Sequence, residues 1–538
     1  MIESKFLTSA QLWQDFDRTK DPLGVTYVEQ RTEEYGITVR SLFFDALSEA
    51  EGAVRAYARI LTPQDYEGEK FILYLPSPDS DIDPFDEAST MADLGYQVGY
   101  VDLRGIGDLS TQYSGCFSYG RWEEAKDNLY LATPSALVNP TFLWTKIVAR
   151  FVTLLETYYP RCRVVAFAER LSSLVVWPLV ANVPMLAGVS VLGTGLVEED
   201  VSSEAEENQR KWAIALSPQT YARRTHIPMM VVTATNHYSC SFDKIHDLVA
   251  LMPEEGLCST VISHGLRRQI SLTSVNTLWQ WIESQYKSKA PLPHIPTLSY
   301  ALSDGQVHFS VGVDDSQEVE SVYVHYSFNE ENPEYRSWHT KVGDGSPVSV
   351  RVGVRDRSIV AYTQVNYKGG IQLSSPCVSI QLPDELPRAR MTPNKLLYDT
   401  SMPPAFFAET KVVNLSLRVF GIVTAPDGIA GVCTHEGRLI SYCVGESNRL
   451  LAEGELQISA YCTSERTIDV VLTVEEDGKY RDYTASVYLK GDGSWQRVRL
   501  ASDDFRDEVM LPLTGWQGMK KIEFRGAEGV LFNNMLWV

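Results

Sequence analysis

Residues 171–197 carry no charged side chain. A run of that length could span a bilayer, but Pro178, Pro184 and the Asn182-Val183-Pro184 turn divide it. The two parts read as a buried helix followed by a buried strand. Elements hidden on all sides need others packed above and below them, so this segment predicts the centre of a sheet covered by helices on both faces.

The flanking sequence agrees. Through the first 290 residues, short β-rich runs alternate with helical stretches, the pattern of a mostly parallel sheet flanked by helices. Residues 37–44 and 53–61 read as an opening antiparallel pair, and strands follow at 70–75 and 97–102. A helix over 139–159, a strand over 163–167 and a helix from about Arg170 come next. Strands at 185–192, 228–234 and 257–263 and a closing helix with Trp279 and Trp281 complete the order. The acidic segment 198–208 reads as a solvated surface helix in preference to a lid over the sheet edge.

A proline-rich joint at 289–296 ends this pattern. Residues 297–383 then alternate polar and apolar positions between Asp-Gly turns, which predicts a small immunoglobulin-like β-sandwich. A second joint, Pro383-Asp384-Glu385-Leu386-Pro387, leads to another strand-rich stretch. The expected domains are 1–290, 291–387 and 388–538.

Charge and cysteine content narrow the partners. Lys and Arg number 48 against 69 Asp and Glu, a net charge of −21, so the average surface repels phosphate backbones and nucleic acid is not expected as a partner. The eight cysteines are scattered without a C-x-x-C pair or zinc-ligand spacing, which predicts buried thiols and no structural metal site; no cofactor is expected. The N-terminal segment lacks the basic stretch and apolar run of a secretory signal. A cytoplasmic protein is expected from this start, a secreted one if a leader was removed, and no membrane span in either case.

Three segments carry a family resemblance. Residues 101–107 read Val-Asp-Leu-Arg-Gly-Ile-Gly after a strand, residues 54–63 read VRAYARILTP, and residues 164–173 form a strand-to-helix turn, VVAFAERLSS. With residues 12–16 as entry segment, the first domain resembles the acetyl xylan esterase and cephalosporin C deacetylase family of α/β-hydrolases over most of 10–288. The resemblance implies a nucleophilic serine on a tight turn between a strand and the central helix, with an acid, a histidine and an oxyanion-hole loop around it.

The sequence departs from that pattern at each of those places. The Gly-x-Ser-x-Gly elbow aligns with Ala168-Glu169-Arg170-Leu171-Ser172, which puts Arg170 at the nucleophile, and a guanidinium cannot be deprotonated to attack an ester. The acid position falls on Asn236, whose amide cannot stabilise an imidazolium as a carboxylate does. The histidine position falls on Arg267 or Arg268, and the oxyanion-loop His-Gly aligns with Pro76-Ser77-Pro78. Ile106 stands where the family's Arg-Gly-Gln motif has its glutamine.

The reading that follows is a catalytically inactive esterase-like protein that acts by binding, with a glycan or glycoconjugate as the leading ligand by family context. The alternatives are an active carbohydrate esterase with relocated residues and a multidomain protein-interaction scaffold. Ser172, Ser173, Cys162, His237 and His264 are rescue candidates for a relocated serine–histidine pair, although small packing serines and loop histidines explain them more simply. Asp243 and His246 read as surface residues. Arg170 with Arg268 or Arg267 suggests an anion site at a helix start, against the simpler reading in which Arg170 pairs with Glu169 or another acid.

The last stretch has its own resemblance. Trp495-Gln496-Arg497-Val498-Arg499-Leu500, Leu513-Thr514-Gly515-Trp516 and the closing Phe532–Val538 segment look like a galactose-binding-like jelly roll of the carbohydrate-binding-module kind. Trp495 is the candidate for stacking on a sugar, while Trp495, Trp516 and Trp537 suit a sandwich core equally well and are expected there.

Overall fold

The structure, a computed structural model, describes residues 6–33, 36–66, 68–80, 82–193, 204–237, 242–254, 256–267, 269–390, 395–402, 407, 420–434, 437–442, 444 and 454–538. They divide into two compact units. The first spans Met1–Thr233, Lys244–Val261 and Thr277–His294, the second Ala234–Asp243, Ile262–Asn276 and Ile295–Val538.

The N-terminal half is built on a ten-stranded sheet of β1 (Thr26–Thr32), β2 (Thr38–Glu49), β3 (Gly52–Thr62), β4 (Lys70–Leu75), β5 (Gln97–Val101), β6 (Gln112–Tyr113), β7 (Arg163–Glu169), β8 (Ala187–Val191), β9 (Met229–Ala234) and β10 (Cys258–Ser263). Their order is β1-β2-β3-β5-β4-β7-β8-β9-β10, with β6 beside β3. The first three strands and the β3/β5 pair run antiparallel, whereas β5/β4, β4/β7, β7/β8 and β8/β9 are parallel. The helices are α1 (Ser9–Trp13), α2 (Pro84–Asp93), α3 (Trp122–Ala125), α4 (Pro140–Tyr158), α5 (Ser173–Asn182), α6 (Glu204–Leu216), α7 (Pro218–Ala222), α8 (Phe242–Ala250) and α9 (Leu272–Gln285). This half is thus a mixed sheet, antiparallel over β1–β3 and parallel through its centre.

Burial follows composition. Strands β5, β8 and β9 are buried at every residue, as central parallel strands must be when both faces are covered. Helix α5 has no polar face to turn outward, and Ser173–Val180 are all buried. Pro178 does not break it. The helix continues to Asn182, whose Nδ2 donates to the Pro178 carbonyl at 2.7 Å, and the division falls at Val183 instead. Helix α4 starts where Asn139 accepts the Thr141 amide at 2.8 Å with Pro140 in the first helical position.

Two details differ from the sequence expectation. An additional edge strand, β1, precedes the opening pair and is exposed at all seven residues, so no apolar alternation announces it. Strand β7 runs two residues beyond Phe167 to Glu169. The acidic segment 198–208 lies outside the described residues up to 203. From Glu204 it forms α6, which buries Trp212, Ala215 and Leu216. No helix among the described residues is long and apolar enough to cross a membrane.

The C-terminal half consists of antiparallel sheets of three, five, six and four strands, consistent with β-sandwich domains. One core gathers Val307, Phe309, Val324, Val350 and Ile359. A larger one gathers Tyr398, Leu472, Phe524, Phe532, Trp516 and Trp537.

The second unit also takes in the segments that follow β9 and end β10, and its hydrogen bonds explain why. Asn236 Nδ2 donates to the carbonyls of Pro333, Glu334 and Arg336 at 3.1, 3.3 and 2.9 Å. Gln372 donates to the Ile262 carbonyl at 2.9 Å, and the Ser374 hydroxyl accepts the Ile262 amide at 3.2 Å.

Candidate functional site

Strands β4 and β7 are parallel neighbours, with Leu75 in register with Ala168. The loops leaving their carboxyl ends therefore start side by side. In such sheets that edge is where ligands bind. The β7 loop turns at once into a single 3₁₀ turn, Arg170–Ser172, before α5 begins. Arg170 has φ +49°, a left-handed conformation that a non-glycine residue adopts only when its surroundings hold it there. A sharp, strained strand-to-helix turn is the backbone of a nucleophile elbow, and here its apex bears a guanidinium.

The β4 loop supplies the partners. Arg170 Nη2 lies 2.8 Å from Asp79 Oδ2. The Ser77 hydroxyl donates to Asp79 Oδ1 at 2.5 Å and accepts the Leu171 amide at 3.1 Å. Ser172 Oγ donates to the Pro76 carbonyl at 2.6 Å. Ser77 and Ser172 are both buried, while Arg170 and Asp79 are each about a quarter exposed. The amide after the apex is the one an α/β-hydrolase uses as an oxyanion-hole donor, and in this chain a side-chain hydroxyl already occupies it.

Beneath the apex the turn is packed with small polar groups. Ser173 and Ser190 share a hydrogen bond of 2.8 Å, and a Cβ on Gly193 would come within 2.4 Å of both hydroxyls. Glu169 points elsewhere and does not pair with Arg170. It accepts the Tyr74 hydroxyl at 3.0 Å, and burial, reinforced by neighbouring Glu87, raises its carboxyl to about 7. The acid that Arg170 takes is Asp79, 91 positions earlier in the chain.

The other site residues expected from the sequence lie in the second unit or elsewhere. Asn236 holds the 333–336 loop as described above. Arg267 pairs with Glu334 and lies over the Tyr442 ring, 5.6 Å from its centroid. Arg268 lies outside the described residues. His264 Nδ1 is 3.0 Å from the Tyr362 hydroxyl and Nε2 3.5 Å from Thr340 Oγ1, and its ring stacks on His325 with centroids 3.9 Å apart. Burial pushes its imidazole down to about 4, so it stands neutral at ordinary pH. His237 is buried.

Cys162 is not near the turn. It precedes β7 and so sits at the amino end of the strand whose carboxyl end bears Arg170, beside Tyr66 and Gln97. Asp243 is not a free surface residue either. It receives two bonds, of 2.5 and 2.6 Å, from Arg336, whose side chain is 1% exposed. Burying that guanidinium demands a carboxylate partner. Trp516 and Trp537 are core residues 4.7 Å apart, and Trp495 is half-buried against Tyr461 at 5.7 Å.

Sequence reading missed Asp79 and took Ser77 only as a mismatch. The available signal was local, since Ser77-Pro78-Asp79 places a hydroxyl and a carboxylate two residues apart on the loop that faces the turn. The six described cysteines among the eight are free thiols; Cys258, Cys377, Cys433 and Cys462 are buried as expected, whereas Cys116 is exposed and Cys162 half-buried, and no cluster of His, Cys, Asp or Glu among the described residues is arranged to hold a metal ion.

No protein-family model matches the chain, and no curated protein is detectably similar to it. Among solved structures, it is similar to an acetyl xylan esterase from Paenibacillus sp. R4, at 11% identity over 50% of this chain and 90% of that one, with a TM-score of 0.39. Acetyl xylan esterase 1 from Thermoanaerobacterium sp. JW/SL YS485 is similar at 15% identity, over 51% and 92% of the two chains, with a TM-score of 0.38. A cold-adapted esterase from an Arctic intertidal metagenomic library is similar at 9% identity, over 46% and 93%, with a TM-score of 0.33.

Proposed function

We propose that the N-terminal half is an esterase-related domain that has lost ester hydrolysis and acts by binding, with a glycan or glycoconjugate as its ligand. One observation supports the loss above all. The apex of the strand-to-helix turn is an arginine tied to Asp79, and the amide beside it is bonded to Ser77. A nucleophile needs a base within hydrogen-bond reach, yet the Ser172 hydroxyl is given to a backbone carbonyl. The imidazole of His264 is engaged by Tyr362 and Thr340.

The ligand class rests on the sequence resemblance to acetyl xylan esterases and, for residues 388–538, to carbohydrate-binding modules. An anion site at Arg170 is a weaker reading, because its guanidinium already has a carboxylate that the anion would have to displace.

Calorimetric titration of the full chain with acetylated and deacetylated xylo-oligosaccharides, with released acetate measured in the same samples, tests the reading. Binding without acetate release is expected. Stoichiometric or catalytic release of acetate would contradict it, and so would the absence of binding across a wider glycan panel.

A further inference from the structure

The loop after β4 and the loop after β5 enclose a cavity of about 340 Å³ within the first unit. That volume is at the lower end for small-molecule sites. Two arginines line it, Arg59 from β3 and Arg104 from the β5 loop, together with the rings of Tyr57 and Tyr100. Apolar side chains from both loops complete the wall, and Ile106 and Leu109 are 46% and 47% exposed.

Neither guanidinium has a carboxylate partner among the described residues. Arg59 Nε donates to the Tyr57 hydroxyl at 3.0 Å and Nη1 to the Tyr100 hydroxyl at 3.2 Å. Arg104 Nη1 donates to the Ser80 carbonyl at 3.0 Å, and its buried Nε has no hydrogen-bond partner among the described residues. Buried polar hydrogens are normally satisfied, so the Arg104 fork is left with donor capacity that the protein does not use.

The two described acids in the same wall are turned away onto backbone amides. Asp102 accepts from Arg104, Gly105 and Thr111 at 3.1, 3.1 and 2.8 Å, and Asp83 caps α2 through the Phe85 amide at 3.0 Å. The Gly105 turn is fixed as well, since its φ is +64° and a Cβ there would lie 2.9 Å from the Tyr113 ring. The loop is thus built to hold its shape without a ligand.

We propose that this cavity binds a small organic acid, a monocarboxylate with a compact apolar or aromatic body. The carboxylate meets the Arg59 and Arg104 forks, which suit planar two-oxygen groups. The body lies against the tyrosine rings and the exposed Ile106 and Leu109. A monoanion fits better than a phosphate dianion, because Asp83 and Asp102 stand in the same wall and repel a second charge. The proposal goes beyond the loss of hydrolysis and holds whether or not the chain turns over esters.

Titration of the full chain with benzoate, 2-naphthoate, benzamide, glucuronate and inorganic phosphate tests it. The acids with apolar bodies are expected to bind with a dissociation constant of about 1 mM or tighter. Benzamide, glucuronate and phosphate should be at least about tenfold weaker. Arg104→Met and Arg59→Met should each weaken naphthoate at least about tenfold, with Arg104→Lys intermediate. Absence of acid binding, equal binding of benzamide, preference for glucuronate or phosphate, or indifference to both arginine variants would overturn the proposal. If one variant fails to fold, the other and the acid–amide comparison decide.

Discussion

The Ser77 hydroxyl accepts the Leu171 amide at 3.1 Å while donating to Asp79. One hydroxyl thereby occupies the donor that a hydrolase would aim at an oxyanion and orients the carboxylate that holds Arg170. The turn has a strained backbone at Arg170 while its polar groups satisfy one another.

Ser77→Ala breaks both bonds at a buried position. The Leu171 amide then has no side-chain acceptor, and leaving a buried donor unsatisfied costs about 1–3 kcal/mol. Thermal unfolding of the variant should show the first unit melting earlier. An unchanged midpoint would mean that Ser77 does not close the turn.

Arg170→Gly and Arg170→Ala separate backbone from side chain. Both lose the ion pair with Asp79, but only glycine accepts φ +49° without the left-handed cost of about 1–2 kcal/mol. Arg170→Gly should therefore unfold at a higher temperature than Arg170→Ala. Equal midpoints would contradict the strained conformation.

Asn236→Asp should destabilise the second unit. The Asn236 amide donates to three carbonyls, and a carboxylate there would face them with acceptors only. A cost of about 2 kcal/mol or more follows, read as an earlier unfolding transition. A neutral or stabilising effect would contradict the assigned bonds.

How legible all this was depended on distance along the chain. The central strands and α5 could be read because an uncharged run has only one place to go, the centre of a covered sheet. Strand β1 could not, since all its side chains face water and only backbone pairing with β2 defines it. The place of Arg170, directly after a β-run and before a helix, was visible in the sequence. Its partner was not, because Asp79 reaches it through the β4/β7 pairing of segments about ninety residues apart. Asp243 was missed for a related reason, since its partner Arg336 lies 93 positions away on a loop whose burial no local pattern reveals.

Two partly buried groups give stability opposite pH dependences. His264 falls from its ordinary 6.5 to about 4 in the folded chain. Between those values the unfolded chain binds the extra proton, so its contribution is whole above about pH 6.5 and is lost as pH falls towards 4, at most about 3 kcal/mol. Glu169 rises from 4.5 to about 7. Its contribution is whole below about pH 4.5 and is lost as pH rises through 7. Glu169→Gln should therefore raise the unfolding midpoint at pH 8 and leave it nearly unchanged at pH 4.5. A gain of equal size at both pH values would show that burial does not raise this carboxyl.

The most direct test of the account is hydrolysis of an activated acetyl ester and of acetylated xylo-oligosaccharides by the purified chain, compared with Ser172→Ala and His264→Ala. The account predicts no turnover above background in any of the three. Turnover well above background that disappears in Ser172→Ala or His264→Ala would contradict it and identify a working serine–histidine pair.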